Sequence, residues 1–126
     1  MKISFKKFLD SIYYSFQGIR YSFSQQSFFL MFLITIGTLI LSFWLQISYF
    51  EWLIIIFLIG FILSLEMLNT VFERTLDFLE PYISNKVKVI KDLIAGAVFI
   101  ACLTAIILGL IIFFPKILIK IYAIFF

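Results

Sequence analysis

The sequence has no histidine, one cysteine and two prolines, and only 13% of its 126 residues are charged. Each scarcity excludes something. Without imidazole and with a single thiol, the common zinc ligand sets cannot be assembled, so any metal here is a hard cation held by carboxylates, magnesium first. Cys102 stands alone in an apolar run, which rules out a disulfide within the chain and reads as a small buried hydrophobe. Too few charges remain to clothe a soluble domain of this size. Hydrophobic residues make up 64% of the chain, 18 of them phenylalanine, and that balance places the chain among integral membrane proteins. The net charge of +3 comes from ten scattered basic residues, with no basic face of the kind that binds nucleic acid.

The expected fold is all-α, one membrane domain over residues 1–126 with an N-terminal amphipathic surface helix and three spans. Between residues 1 and 27 the apolar positions Phe5, Phe8, Leu9, Ile12, Phe16, Ile19 and Phe23 recur in steps of mostly three and four, as on a helix lying in the interface. Asp10, Gln17 and Arg20 interrupt the segment behind Lys2, Lys6 and Lys7, so no cleavable signal peptide is expected. The polar notch Ser24-Gln25-Gln26-Ser27 closes that helix. Residues 28–46 form the first span, and Trp44, Tyr49, Glu51 and Trp52 an aromatic belt around a tight turn. Residues 51–79 form a second span running past its apolar section, residues 80–91 a polar loop, and residues 92–114 a third span that Pro115 stops. Basic residues concentrate on the side of the N-terminus and the 80–91 loop, which puts both in the cytoplasm of a cell-membrane protein.

Within the second span Glu66, Asn69, Glu73 and Asp77 are spaced three, four and four residues apart, inside an arc of about 80° on one helical face. Ionisable groups at membrane depth face a bundle interior or a wet cavity and mark function by default. Glu66 is the deepest and has no basic residue near it in sequence, which suits a general base taking a proton from a hydroxyl. Asn69 could orient Glu66 or the acceptor oxygen. Glu73, Asp77 and the Lys91-Asp92 pair flank one loop, where carboxylates can hold magnesium against phosphates and lysine can neutralise phosphate charge. Spacing alone leaves three readings open: a structural polar seam with Glu73 paired to Arg74 or Lys91, phosphoryl transfer to a lipid alcohol, and proton- or cation-coupled transport.

The string Glu66-Met67-Leu68-Asn69-Thr70-Val71-Phe72-Glu73-Arg74-Thr75-Leu76-Asp77 resembles the signature of the prokaryotic diacylglycerol kinase and undecaprenol kinase family. So does Lys91-Asp92-Leu93-Ile94-Ala95-Gly96-Ala97-Val98 at the family's spacing, and Tyr14-Ser15-Phe16-Gln17-Gly18-Ile19-Arg20 resembles its surface-helix motif. The resemblance implies a homotrimer with active sites between protomers, and ATP with magnesium as phosphoryl donor. It gives Glu66 the catalytic base role, Glu73 a metal-ligand role and Asn69 a polar place in the site. Asp77, Lys91 and Asp92 fall at nucleotide-side positions, and Lys7 and Tyr14 at N-terminal positions that contact ATP. The Ala95-Gly96-Ala97 run and Glu51-Trp52 look more like the undecaprenol kinases, so undecaprenol is the expected acceptor ahead of diacylglycerol.

Three features depart from the family pattern. Where the family has a second metal-coordinating glutamate, eight residues after the glycine matching Gly18, this chain has Gln26. An amide oxygen can ligate magnesium but brings no charge, which implies weaker metal binding, Asp77 as a substitute ligand, or a non-catalytic membrane module. Tyr82-Ile83-Ser84 replaces the family's acidic-aromatic-histidine stretch, and Ile94 a small residue near the nucleotide.

Overall fold

The computed structural model describes residues 1–79 and 84–126. They form four α-helices: α1 (Phe5–Ser22), α2 (Gln26–Leu45), α3 (Tyr49–Leu79) and α4 (Asn85–Phe125). The last three are each long and apolar enough to cross a membrane. The architecture is therefore all-helical, a short N-terminal helix followed by three candidate spans, and no strand occurs among the described residues.

Ser4 caps α1, its hydroxyl accepting from the Lys7 N–H at 3.4 Å. The helix ends earlier than the sequence pattern suggests. Ser24 and Gln25 donate back to Tyr21 and Ser22, and Gln26 and Ser27, expected in the closing notch, are instead the first two residues of α2. At the other end of α2 Gln46 takes a left-handed conformation (φ 50°). Its N–H donates to Phe43 and that of Ile47 to Ser42, the paired bonds of a Schellman turn. Ser48 and Glu51 then open α3 reciprocally. The Ser48 N–H donates to Glu51 Oε2 at 2.7 Å, and the Glu51 N–H to Ser48 Oγ at 3.4 Å. This is a capping box.

Two expected boundaries on α4 are corrected. The polar stretch to Lys91 is not a loop throughout: Ser84 accepts from the Val87 N–H at 3.2 Å and helix starts at Asn85. A cap, a buried Val87 and exposed lysines make those turns amphipathic. Pro115 does not stop the helix either, which runs on to Phe125. Proline removes one helical hydrogen bond, but the residues around it are anchored. Ile112 and Phe113 are buried with Leu45, Ile47 and Ile55, and Ile117 packs on the same cluster. Lys116 pairs with Glu51 at 3.2 Å, and Lys120 donates to the Trp44 carbonyl at 2.6 Å while lying over its ring. One end of the bundle is thus stapled by the apolar cluster and two lysines.

The chain exposes 10081 Å², against about 7,000 Å² for a soluble globule of its size. Much of the excess is apolar side chain on the outer faces of α2, α3 and α4, surface that needs lipid or further protein. An open apolar groove of about 860 Å³ runs between α3 and α4 past Phe57, Phe61, Ala97 and Thr104.

Candidate active site

The polar groups of α3 occupy the end of the bundle opposite the lysine staple. Glu66 is its buried member, 3% exposed, about 22 Å along the axis from Glu51. The Ser27 hydroxyl donates to Glu66 Oε1. The contact joins the first turn of α2 to the middle of α3 across 39 residues of sequence. Among the described residues no cation pairs with Glu66. Sequence reasoning placed Ser27 in a helix-closing notch and missed this role; a pairing so distant leaves no periodic signal.

Asn69 does not turn to Glu66. Its Nδ2 donates to Glu73 Oε1 at 3.3 Å, one turn on, because the four-residue step brings those side chains together while Glu66 is drawn toward α2. Asn69 Oδ1 is buried and has no partner. Buried acceptors are ordinarily satisfied, so an unmatched amide oxygen beside a carboxylate is an opening for a donor or a cation.

Beyond Glu73, Lys91 of α4 reaches Asp77 of α3 at 2.5 Å, as expected of groups flanking one connection. Asp92 does not join them: it pairs within α4 with Lys88 at 2.8 Å, both well exposed. The Glu73 ion pairs with Arg74 or Lys91 that a purely structural polar seam would make are also not formed. Arg74 Nη2 donates to Gln25 Oε1 at 3.3 Å and its guanidinium lies 5.7 Å from the Tyr21 ring centroid. That ties the α1–α2 junction to α3.

Three expected residues stand apart. Lys7 and Tyr14 are on exposed faces of α1, the Lys7 backbone bonded with Ser4 and Ser11 and Tyr14 set edge-on to the Tyr13 ring. Gln26 is exposed at the start of α2. Ile94 is half-buried on α4. Tyr82 and Ile83 lie outside the described residues, and Ser84 serves as the α4 cap.

Among the described residues no three histidine, cysteine, aspartate or glutamate side chains gather as a metal cluster. The donors present nevertheless suit magnesium, which takes one or two carboxylates and fills its remaining positions with water and phosphate oxygens. Glu73 supplies one such carboxylate, and the unpartnered Asn69 oxygen is a neutral donor on the side chain next to it.

Below the carboxylate lies an apolar cavity of about 460 Å³ between α2, α3 and α4, lined in part by Met31, Thr35, Leu58, Ile62 and Cys102. Met31 is one turn beyond Ser27 on α2 and Ile62 one turn before Glu66 on α3, so the cavity continues the Ser27 and Glu66 stripes into the bundle.

Comparison with known proteins matches residues 13–113 to the model of the prokaryotic diacylglycerol kinase family. Glu66, Asn69, Glu73, Asp77, Lys91, Asp92, Gln26 and Tyr14 fall inside that stretch, and Lys7 outside it. The chain is also 42% identical over 80 residues to an undecaprenol kinase of Bacillus subtilis (strain 168), covering 64% of this chain and 65% of that relative's length.

Proposed function

This chain belongs to the prokaryotic diacylglycerol kinase family, and from that premise we propose that it transfers the γ-phosphoryl group of ATP to the hydroxyl of a membrane lipid alcohol. The carrying observation is the order of groups along α3. A carboxylate buried to 3% exposure is succeeded by an amide–carboxylate pair with a free buried acceptor, and then by a carboxylate–lysine pair at the exposed end. That order suits a reaction joining an apolar alcohol to a charged nucleotide. Base, phosphate and nucleotide chemistry rise about 16 Å in sequence along one helix.

Glu66 is the general base. The lipid oxygen attacks the γ-phosphorus, the bond to the β-phosphate oxygen breaks, ADP leaves, and the hydroxyl proton passes to the Glu66 carboxylate. Glu73 and Asn69 would hold magnesium, which would supply charge neutralisation to the phosphates. Lys91, paired with Asp77 on the nucleotide side, brings a mobile positive charge to the phosphates. Asp92, Tyr14 and Lys7 contribute from the periphery, the last two from α1. Burial of Glu66 at the boundary of an apolar span excludes bulk water from the base, which favours transfer to an alcohol over hydrolysis. The apolar cavity beneath Glu66 takes the first part of the lipid tail.

The acceptor is undecaprenol, with diacylglycerol second; the likeness to an undecaprenol kinase supports that order. The working form is a homotrimer in the cell membrane with its N-terminus in the cytoplasm, and the uncovered apolar groove between α3 and α4 supports association. Gln26 supports a second reading, a fold retained without catalysis, because the neutral amide replaces a charged ligand.

A competition assay tests the activity and the acceptor. Purified protein in mixed micelles is given labelled ATP, magnesium and equal amounts of undecaprenol and diacylglycerol. Label in undecaprenyl phosphate ahead of phosphatidic acid is the expected result. No label in either lipid, with Gln26→Glu equally silent, overturns the kinase reading in favour of the non-catalytic one.

A further inference from the structure

We propose that Ser27 is a positioning residue for the Glu66 carboxylate, its hydroxyl occupying Oε1 so that Oε2 is left to receive the acceptor's proton; this rests on the kinase reading of the site. Ser27 behaves unlike the other helical serines of the chain. Ser11, Ser15, Ser22, Ser42 and Ser64 each donate to the carbonyl four residues back in their own helix. Ser27, in the first turn of α2, donates across to α3 instead. Thr70 is near in sequence but its hydroxyl goes to the Glu66 main-chain carbonyl at 3.1 Å, not to the carboxylate. Among the described residues Ser27 is therefore the group that fixes the rotamer of the Glu66 side chain.

The location adds a second effect. Gln25, at the N-cap of α2, makes no side-chain capping bond, and the first turn holds no acidic residue. The free N–H groups and positive dipole end of α2 have no negative charge of their own segment to meet. Ser27 brings Glu66 to that end. A buried carboxylate needs hydrogen bonds or opposite charge to be tolerated. Here the Ser27 hydroxyl, carried on the first turn of α2, supplies such a bond. A fixed carboxylate with one oxygen engaged presents the other in one direction, the condition for a base to meet a hydroxyl at reacting distance.

The test uses the full chain in micelles with Ser27→Val and Ser27→Thr, near-isosteres that lack and keep the hydroxyl. Two readouts are taken on each. The first is the rate at which dicyclohexylcarbodiimide, an apolar carboxyl reagent, modifies Glu66, followed by peptide mass spectrometry with Glu73 as internal reference. The second is steady-state transfer from ATP to undecaprenol. Ser27→Val is expected to change Glu66 labelling by about threefold or more and to lower kcat about tenfold, as the loss of a bond to a charged group implies. KM for ATP stays unchanged and Ser27→Thr matches the wild type. Wild-type labelling and kcat in Ser27→Val overturn the proposal while leaving the kinase reading intact. Changed labelling in a protein that phosphorylates no lipid alcohol overturns the kinase reading, and leaves Ser27 as the holder of a carboxylate with other work. A Ser27→Val protein that loses helical signal on purification is replaced by Ser27→Ala, judged on the same readouts.

Discussion

Glu51→Ala separates the two ends of the bundle. Glu51 makes two side-chain contacts: its Oε2 accepts from the Ser48 N–H at 2.7 Å and meets Lys116 Nζ at 3.2 Å. The first closes a capping box, and losing such a cap costs about 1 kcal/mol. The second joins α3 to the far part of α4 between side chains only 25% and 29% exposed, so screening is reduced and about 0.5–1 kcal/mol is reasonable for it. Together Glu51→Ala should destabilise the protein by about 1.5–2 kcal/mol. Reversible unfolding in mixed dodecyl sulfate micelles, followed by far-ultraviolet circular dichroism, reads this directly, and a cycle with Lys116→Met isolates the ion pair. Because Glu51 lies about 22 Å from Glu66, phosphoryl transfer at saturating substrate and the undecaprenol-to-diacylglycerol preference should both stay at wild-type values. A stable Glu51→Ala protein with altered acceptor preference would refute the reasoning. It would mean that this glutamate reports on the lipid and not on the start of a helix.

Other substitutions probe other links of the chain. Gln46→Gly should raise stability in the same titration by about 1 kcal/mol, since the left-handed Gln46 backbone is one that glycine adopts without a Cβ clash; unchanged or lowered stability would contradict this. Lys91→Ala removes a pair whose members are 36% and 61% exposed, so stability should move by less than about 1 kcal/mol, while KM for ATP rises about tenfold if Lys91 neutralises phosphate charge. Gln26→Glu should lower the magnesium concentration needed for half-maximal rate several-fold, roughly the gain from one added carboxylate near the ion. An unchanged magnesium dependence would show that position 26 does not approach the metal.

The three spans were legible because apolar runs of membrane length have few alternatives. The carboxylate stripe was legible because helical periodicity aligns residues on one face before any packing is known. That Lys91 comes near the carboxylates of α3 follows from connectivity, but its partner does not: the sequence points to Glu73, and the structure pairs it with Asp77. Proline forfeits a hydrogen bond, which on its own predicts a stop at Pro115, yet Lys116–Glu51 and the Phe113 cluster hold the helix on both sides of it. The Ser48–Glu51 box is a visible S-x-x-E pattern, but the surrounding tryptophans and tyrosine drew Glu51 into an aromatic belt. Asn69 stands three residues from Glu66 and four from Glu73, and its amide bonds the second, a choice that periodicity alone leaves open. Ser27 was beyond reach: whether a serine bonds its own helix or another depends on which helix lies beside it.

The central claim is that Glu66 takes the proton from a lipid alcohol. Its most direct test is single-turnover transfer from labelled ATP to undecaprenol by the wild type and by Glu66→Gln, with both proteins shown to have the same helical content and the same affinity for ATP. A loss of about 100-fold or more in the transfer step is expected for Glu66→Gln, in line with removal of a general base. Transfer by Glu66→Gln within a few-fold of the wild type would contradict it, and would make the buried carboxylate a structural partner of Ser27 alone.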